Sequence, residues 1–148
     1  MGDRTTVTLS FLETQQDEAL KHFDSEANEA WLIKPLAYHQ FGEVNYGTLD
    51  FLYKLKAAGI AYESEWDSGR NYGPGVKSVR FTADGEVVEK EVYNSECSID
   101  VHDLLALLDK PEELKDLITS THEAVSVLPW ENQEEYGKLY RAKMLISS

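Results

Sequence analysis

Arginine, lysine and aromatic side chains are the usual grips on a partner or ligand, and this sequence gathers them in one stretch, SEWDSGRNYGPGVKSVRF (64–81). Trp66 and Tyr72 offer flat apolar faces there, and Arg70 and Lys77 offer charge. Arginine beside aromatics is the chemistry enriched at interface hot spots. Residues 70–83 hold Arg70, Lys77 and Arg80 with no acid, a positive island in a chain with 27 acidic against 14 basic residues and a formal net charge of −13. Trp66, Arg70, Tyr72 and Lys77 are therefore the candidate partner-binding set. A second use of the same loop, 67–75, is as the gate of a small-molecule pocket between sheet and helices, with His39 and Tyr62 as its residues. The loop's glycines also suit a bare turn that needs positive φ angles. Its length tilts the reading toward function, since most hairpin loops have only about 2–5 residues.

Other chemistries find less support. A phosphate loop needs G-x-x-x-x-G-K-[ST] feeding a helix, so that successive backbone N–H groups wrap the anion. Here Val76 separates Gly75 from Lys77, Pro74 has no N–H, and the stretch leads into a strand pattern. Glu63 with Glu65, and Glu89 with Glu91, share strand faces, but an acid–base pair needs one desolvated member. A solvated charge ladder is the expected arrangement. His22, His39, His102 and His122 lack metal-ligand spacing, and the single Cys97 cannot complete a local zinc cluster. His39, in LAYHQF, is the histidine placed to act as a general base. Asn45 or Thr48, before a helix pattern, suits a cap better than an anion site. No catalytic motif, cofactor signature or metal site emerges, so binding rather than catalysis is expected.

Charge narrows the partners. A surface this negative repels phosphate backbones and anionic membranes, and it attracts basic protein surfaces. The expected partner is a protein with a basic surface, in a regulatory or inhibitor-like arrangement whose carboxylates stand in for nucleic-acid phosphates. The same charge also serves solubility. No apolar run reaches the ~18 residues of a membrane span. The N-terminal MGDRTTVTLSFLETQQ lacks the apolar centre of a signal peptide, and with a lone cysteine the cytoplasm is the expected setting.

A chain of 148 residues fits one domain, sheet-rich over 1–95 and helical over 98–148. Alternation predicts strands over 5–12, with Val7, Leu9 and Phe11 on one side, and over 60–66, with Ile60, Tyr62 and Trp66 inward and Ser64 as the small gap among them. Pro35 makes 31–41 either an edge strand or two short pieces. Helical spacing predicts helices from Thr14 to Phe23 and over 48–58, the second stopped by Gly59. Asp84-Gly85 predicts a two-residue hairpin that sets Phe81 opposite Val88 and Arg80 opposite Glu89, with Arg80, Glu89 and Glu91 facing water, Lys90 inward, and 87–93 at or near a sheet edge. Asp100 caps a helix over 101–109, Pro111 opens another, and a last one covers 131–146. The order predicts an α+β fold: a mostly antiparallel sheet with helices packed on one face and a C-terminal helical cluster. A ferredoxin-like core within 31–93 is one form this can take.

Overall fold

The computed structural model describes residues 4–69 and 72–147. Strand β1 (Arg4–Leu12) lies at the centre of a six-stranded sheet with β2 (Glu29–Ile33), β3 (Leu36–Asn45), β4 (Tyr62–Trp66), β5 (Gly75–Phe81) and β6 (Val87–Tyr93), in the order β2-β3-β1-β4-β5-β6. Every neighbouring pair is antiparallel. The helices are α1 (Gln16–Leu20), α2 (Leu52–Ala57), α3 (Val101–Ala106), α4 (Pro111–Val125) and α5 (Gln133–Ser147). The fold is thus α+β, as the pattern predicts, but a ferredoxin-like core needs two strand–helix–strand crossovers, and residues 31–93 hold one helix, α2, with β4, β5 and β6 following as a plain meander.

Period-two alternation explains the core. Directly opposed residues share a face, so Val7, Leu9 and Phe11 of β1 stand beside Ala37 and Phe41 of β3 and Tyr62 and Trp66 of β4, with Val79 and Phe81 of β5 beyond. All are buried, and Leu52 and Leu55 of α2 and Tyr140 of α5 pack with them. Each large side chain buried there contributes about 1.5–3 kcal/mol. Pro35 divides the chain between β2 and β3, the second of the two predicted outcomes, and all five residues of edge strand β2 are exposed. Helix α2 stops at Gly59, whose φ of +74° ends it as expected. Asp100 caps α3 by accepting the His102 N–H at 2.7 Å, and Pro111 opens α4. Neither α3 nor α4 holds a fully buried residue: along the stripes read from the sequence Leu104, Leu114, Leu117, Thr121 and Val125 are half-buried, while Val101, Leu105, Leu108 and Ile118 are exposed. No helix among the described residues is long and apolar enough to cross a membrane.

The β5–β6 hairpin differs from the two-residue expectation by one position. Phe81 opposes Val87 and Arg80 opposes Val88. The loop is Ala83-Asp84-Gly85: Gly85 N–H donates to Thr82 O at 2.9 Å, Thr82 N–H to Glu86 O at 2.9 Å, and Gly85 takes φ +76°. This is a type I turn followed by a left-handed residue, the usual three-residue hairpin loop. Glu86 N–H also donates to Thr82 Oγ1 at 3.1 Å, a hold that a two-residue turn would lack. A one-residue slip exchanges the faces of a whole strand. Glu89 and Glu91 therefore lie on the helix side of the sheet, while Val88 and Lys90 lie on the other side with Arg80 and Ser78. Lys90 is not an inward guard of the edge; its ammonium donates to the Ser126 and Glu123 carbonyls and holds the end of α4.

Arg80 does not face water either. It is 2% exposed, because the segment between α4 and α5 crosses this end of the outer face and covers it. Its guanidinium donates to Leu128 O, Tyr62 O and Glu63 Oε1 and stacks 3.7 Å from the Trp130 ring centre.

Candidate functional site

The corrected register lines up two rows of side chains on the helix side of β4, β5 and β6. Trp66, Gly75 and Tyr93 face one another in the first, and Ser64, Lys77 and Glu91 in the second. Strand geometry sets neighbours in a row about 4.8 Å apart and the two rows about 7 Å apart. Above them lie Leu52 of α2, the turn of Tyr46, Gly47 and Thr48 that follows β3, and Tyr72 from the β4–β5 loop. Together they enclose a cavity of about 220 Å³.

Trp66 is the fixed wall. Its indole lies between two glycines: a Cβ on Gly47 would meet Trp66 Cβ at 2.9 Å, and one on Gly75 would meet Trp66 Cζ2 at 2.5 Å. Its Nε1–H donates to Gly73 O at 3.0 Å, which ties the β4–β5 loop down and leaves that N–H committed. The Tyr93 ring meets it edge-on, centroids 5.7 Å apart and planes at 82°, forming an aromatic corner. In the polar row, Lys77 Nζ lies 3.9 Å from Glu89 Oε1, and Glu89 also pairs with Lys56 at 3.4 Å. Among the described residues Glu91 makes no ion pair. Ser64 is 2% exposed, and its hydroxyl has no hydrogen-bond partner among the described residues.

Three of the four residues singled out in the sequence, Trp66, Tyr72 and Lys77, therefore line one cavity. The fourth, Arg70, lies outside the described residues. Trp66 is 8% exposed and is a wall rather than a projecting anchor. Tyr46, Glu91 and Tyr93 were not legible as part of the set, and Ser64 showed only as a gap in the apolar side of its strand.

His39 and Tyr62 belong to the core instead. His39 stacks on Phe11 at 5.4 Å, meets Phe23 edge-on at 5.2 Å, and shares a 3.2 Å hydrogen bond between Nε2 and Gln16 Oε1. Its other boundary is a separate open depression beside Leu20, Phe23 and Asp24. Burial holds its pKa below the ordinary histidine value, so it stays neutral. Tyr62 is 1% exposed, and burial, reinforced by the charge of Glu89, pushes its phenol up and keeps it protonated. Neither is placed for proton transfer at the cavity. The lowered His39 value makes stability depend on pH with a definite sign. Between the folded and unfolded pKa values the unfolded chain binds more protons, so stability rises with pH in that window and is lost as pH falls from about 6.5. Urea unfolding of wild type and His39→Phe at pH 7.5 and 5.5 should show the wild type losing ground to the variant on acidification. A constant difference would mean that His39 binds its proton equally in both states.

Among the described residues no three His, Cys, Asp or Glu side chains converge as a metal site. Glu63 is engaged with Arg80 at 2.7 Å and lies on the opposite side of the sheet from Glu89 and Glu91, so the four glutamates do not form one ladder. Comparison with protein families, curated proteins and solved structures finds no match to this chain. The chemistry of the cavity therefore rests on its own residues.

Proposed function

We propose that this protein binds a small molecule, without covalent chemistry, in the cavity over β4, β5 and β6. The observation that carries the reading is Ser64: a hydroxyl lining the cavity, 2% exposed and without a hydrogen-bond partner among the described residues, directly opposite Lys77 and beside aromatic walls. A buried polar group left unsatisfied costs about 1–3 kcal/mol, and a ligand that supplies its hydrogen bond recovers that cost. A few convergent polar groups set among aromatic side chains are a usual feature of a ligand pocket, and here Ser64, Lys77 and Glu91 stand among Tyr46, Trp66, Tyr72 and Tyr93. At about 220 Å³ the hollow falls below the ~300–1,000 Å³ of drug-sized sites, so the ligand is small. Tyr72, from the β4–β5 loop, is among the lining residues.

Ser64→Leu tests this by filling the cavity. Ligand-observed NMR with a fragment library should give hits on wild type whose affinity drops at least about tenfold, or 1.4 kcal/mol, in Ser64→Leu, with Ser64→Val as a smaller plug should leucine impair folding. Equal binding to the plugged protein, or no hits on wild type, would remove the cavity as the site.

A second reading, docking on a basic protein, has one observation in its favour. Val101, Leu105 and Leu108 on and just beyond α3 are exposed, amid Asp100, Asp103 and Asp109. It ranks second because Trp66, its expected anchor, is buried.

A further inference from the structure

The two rows differ in chemistry, and the difference defines the ligand. We propose, building on the small-molecule reading above, that the cavity takes a small zwitterion, with a methylated ammonium in the aromatic row beside Glu91 and a carboxylate over Ser64 and Lys77.

Each half follows from what its row offers. In the aromatic row the Trp66 N–H is committed to Gly73 O, so the indole presents only its π surface and ring carbons. Trp66 and Tyr93 meet at 82°, with Tyr46 and Tyr72 completing the lining. Perpendicular aromatic faces attract a cation through their ring quadrupoles. A methylated ammonium has few or no N–H groups to satisfy, whereas a primary ammonium has three and would find few acceptors here. Glu91, two residues before Tyr93 on the same face and without an ion pair among the described residues, supplies the counter-charge.

In the polar row, Ser64 and Lys77 are directly opposed across β4 and β5. A carboxylate between them accepts the unpartnered Ser64 hydroxyl and a charge-assisted bond from Lys77, the stronger kind of hydrogen bond. Lys77 is held only loosely, 3.9 Å from Glu89, which is itself shared with Lys56. The turn toward a ligand therefore gives up little.

Simpler ligands leave one row mismatched. An anion alone enters a chain of net charge −13 and sits beside Glu91 and Glu89. A cation alone faces Lys77; unlike charges become like ones, at about 1–4 kcal/mol for a 4 Å separation between water and a protein surface. A neutral ring desolvates both Lys77 and Glu91 and pairs neither. A small zwitterion that sets its ammonium against the aromatic corner and Glu91 and its carboxylate toward Ser64 and Lys77 satisfies both.

Glycine betaine is the probe, with choline as the ammonium without the carboxylate and 3,3-dimethylbutanoate as the carboxylate without the ammonium. Titration of ¹⁵N-labelled protein should give a saturable shift of the Trp66 indole N–H with betaine. Choline and dimethylbutanoate should each bind at least about tenfold more weakly. Glu91→Gln should weaken betaine about tenfold yet not weaken dimethylbutanoate, and Lys77→Met should weaken betaine about tenfold yet not weaken choline, since each change also removes the repulsion that the single charge meets. Choline binding as tightly as betaine would overturn the carboxylate half, and dimethylbutanoate doing so would overturn the ammonium half. Fragments that bind the cavity while betaine does not would overturn the ligand class and leave the small-molecule reading standing; no binder of any kind would overturn both.

Discussion

Arg80→Met should lower stability by about 3–5 kcal/mol, the range for removing one partner of a buried charged contact. Methionine keeps much of the arginine stem's volume, so the loss isolates the head group. That head group donates to Leu128 O at 2.9 Å, Tyr62 O and Val79 O at 3.2 Å each, and Glu63 Oε1 at 2.7 Å, and it covers the Trp130 ring. Burial pulls its pKa below the ordinary arginine value, and Glu63 opposes that pull. Removal leaves carbonyls without a donor in a site that water does not reach, at about 1–3 kcal/mol for each unsatisfied group. The Glu63 carboxylate is about a third exposed, so it regains water, which places the total near the lower end. The segment over the outer face would lose its pin, and Trp130 emission should shift toward longer wavelength before global unfolding. A double-mutant cycle with Glu63→Gln should return a coupling of about 0.5–3 kcal/mol. A total loss below about 1 kcal/mol would mean that Arg80 is solvated rather than locked.

Arg80 also marks where the sequence stopped being informative. Its alternation with Val79 and Phe81 is correct, and it does point away from the core face. What the pattern could not show is that this outer face is covered, because the cover arrives from Leu128 and Trp130, far along the chain. Local periodicity reports which side a residue takes, not what lies over that side. The same limit applies to α3 and α4. Their apolar stripes read as packing faces, yet the residues along them are at most half-buried.

The hairpin error had a different cause and a larger consequence. Asp84-Gly85 fits a two-residue turn and also fits positions two and three of a three-residue loop, since both place glycine at positive φ. Thr82, able to accept Glu86 N–H, is the local sign of the second. One residue of slip put Glu91 opposite Ser78 rather than Lys77, and so hid the polar row of the cavity altogether. Trp66, Tyr72 and Lys77 were found because their types cluster in sequence. Glu91 and Tyr93 were missed because their membership depends on register. Tyr46 was missed because it arrives from the far side of α2, and Ser64 drew notice only for its size.

Gly137→Ala tests the seating of α5, and here propensity and packing predict opposite signs. In an exposed helix the change would add about 0.5–1 kcal/mol of stability. In this fold a Cβ on Gly137 would sit 1.8 Å from Gly59 O, and one on Gly59 would sit 2.2 Å from Gly137 O. Both neighbours are backbone, so no rotamer change relieves the clash and α5 must move away from the turn that ends α2. That motion would strain the Gln133 side chain, which bonds Phe81 N–H and C=O at 2.7 and 2.9 Å, and the 4.9 Å contact of Tyr140 with Phe81. The expected result in urea unfolding is a net loss of about 2–3 kcal/mol, at the upper part of the range for overpacked sites. Gly59→Ala should lose about 1–2 kcal/mol more, because alanine also resists the φ of +74° there. A neutral or stabilising Gly137→Ala would show that α5 does not close on Gly59. The displacement would also reach the cavity over β4, β5 and β6, since α2 bears Leu52 on its wall and Leu55 in the core. Betaine affinity in Gly137→Ala should therefore fall along with stability, whereas Arg80→Met, which unpins the opposite face, should leave the cavity rows in register and the affinity close to wild type.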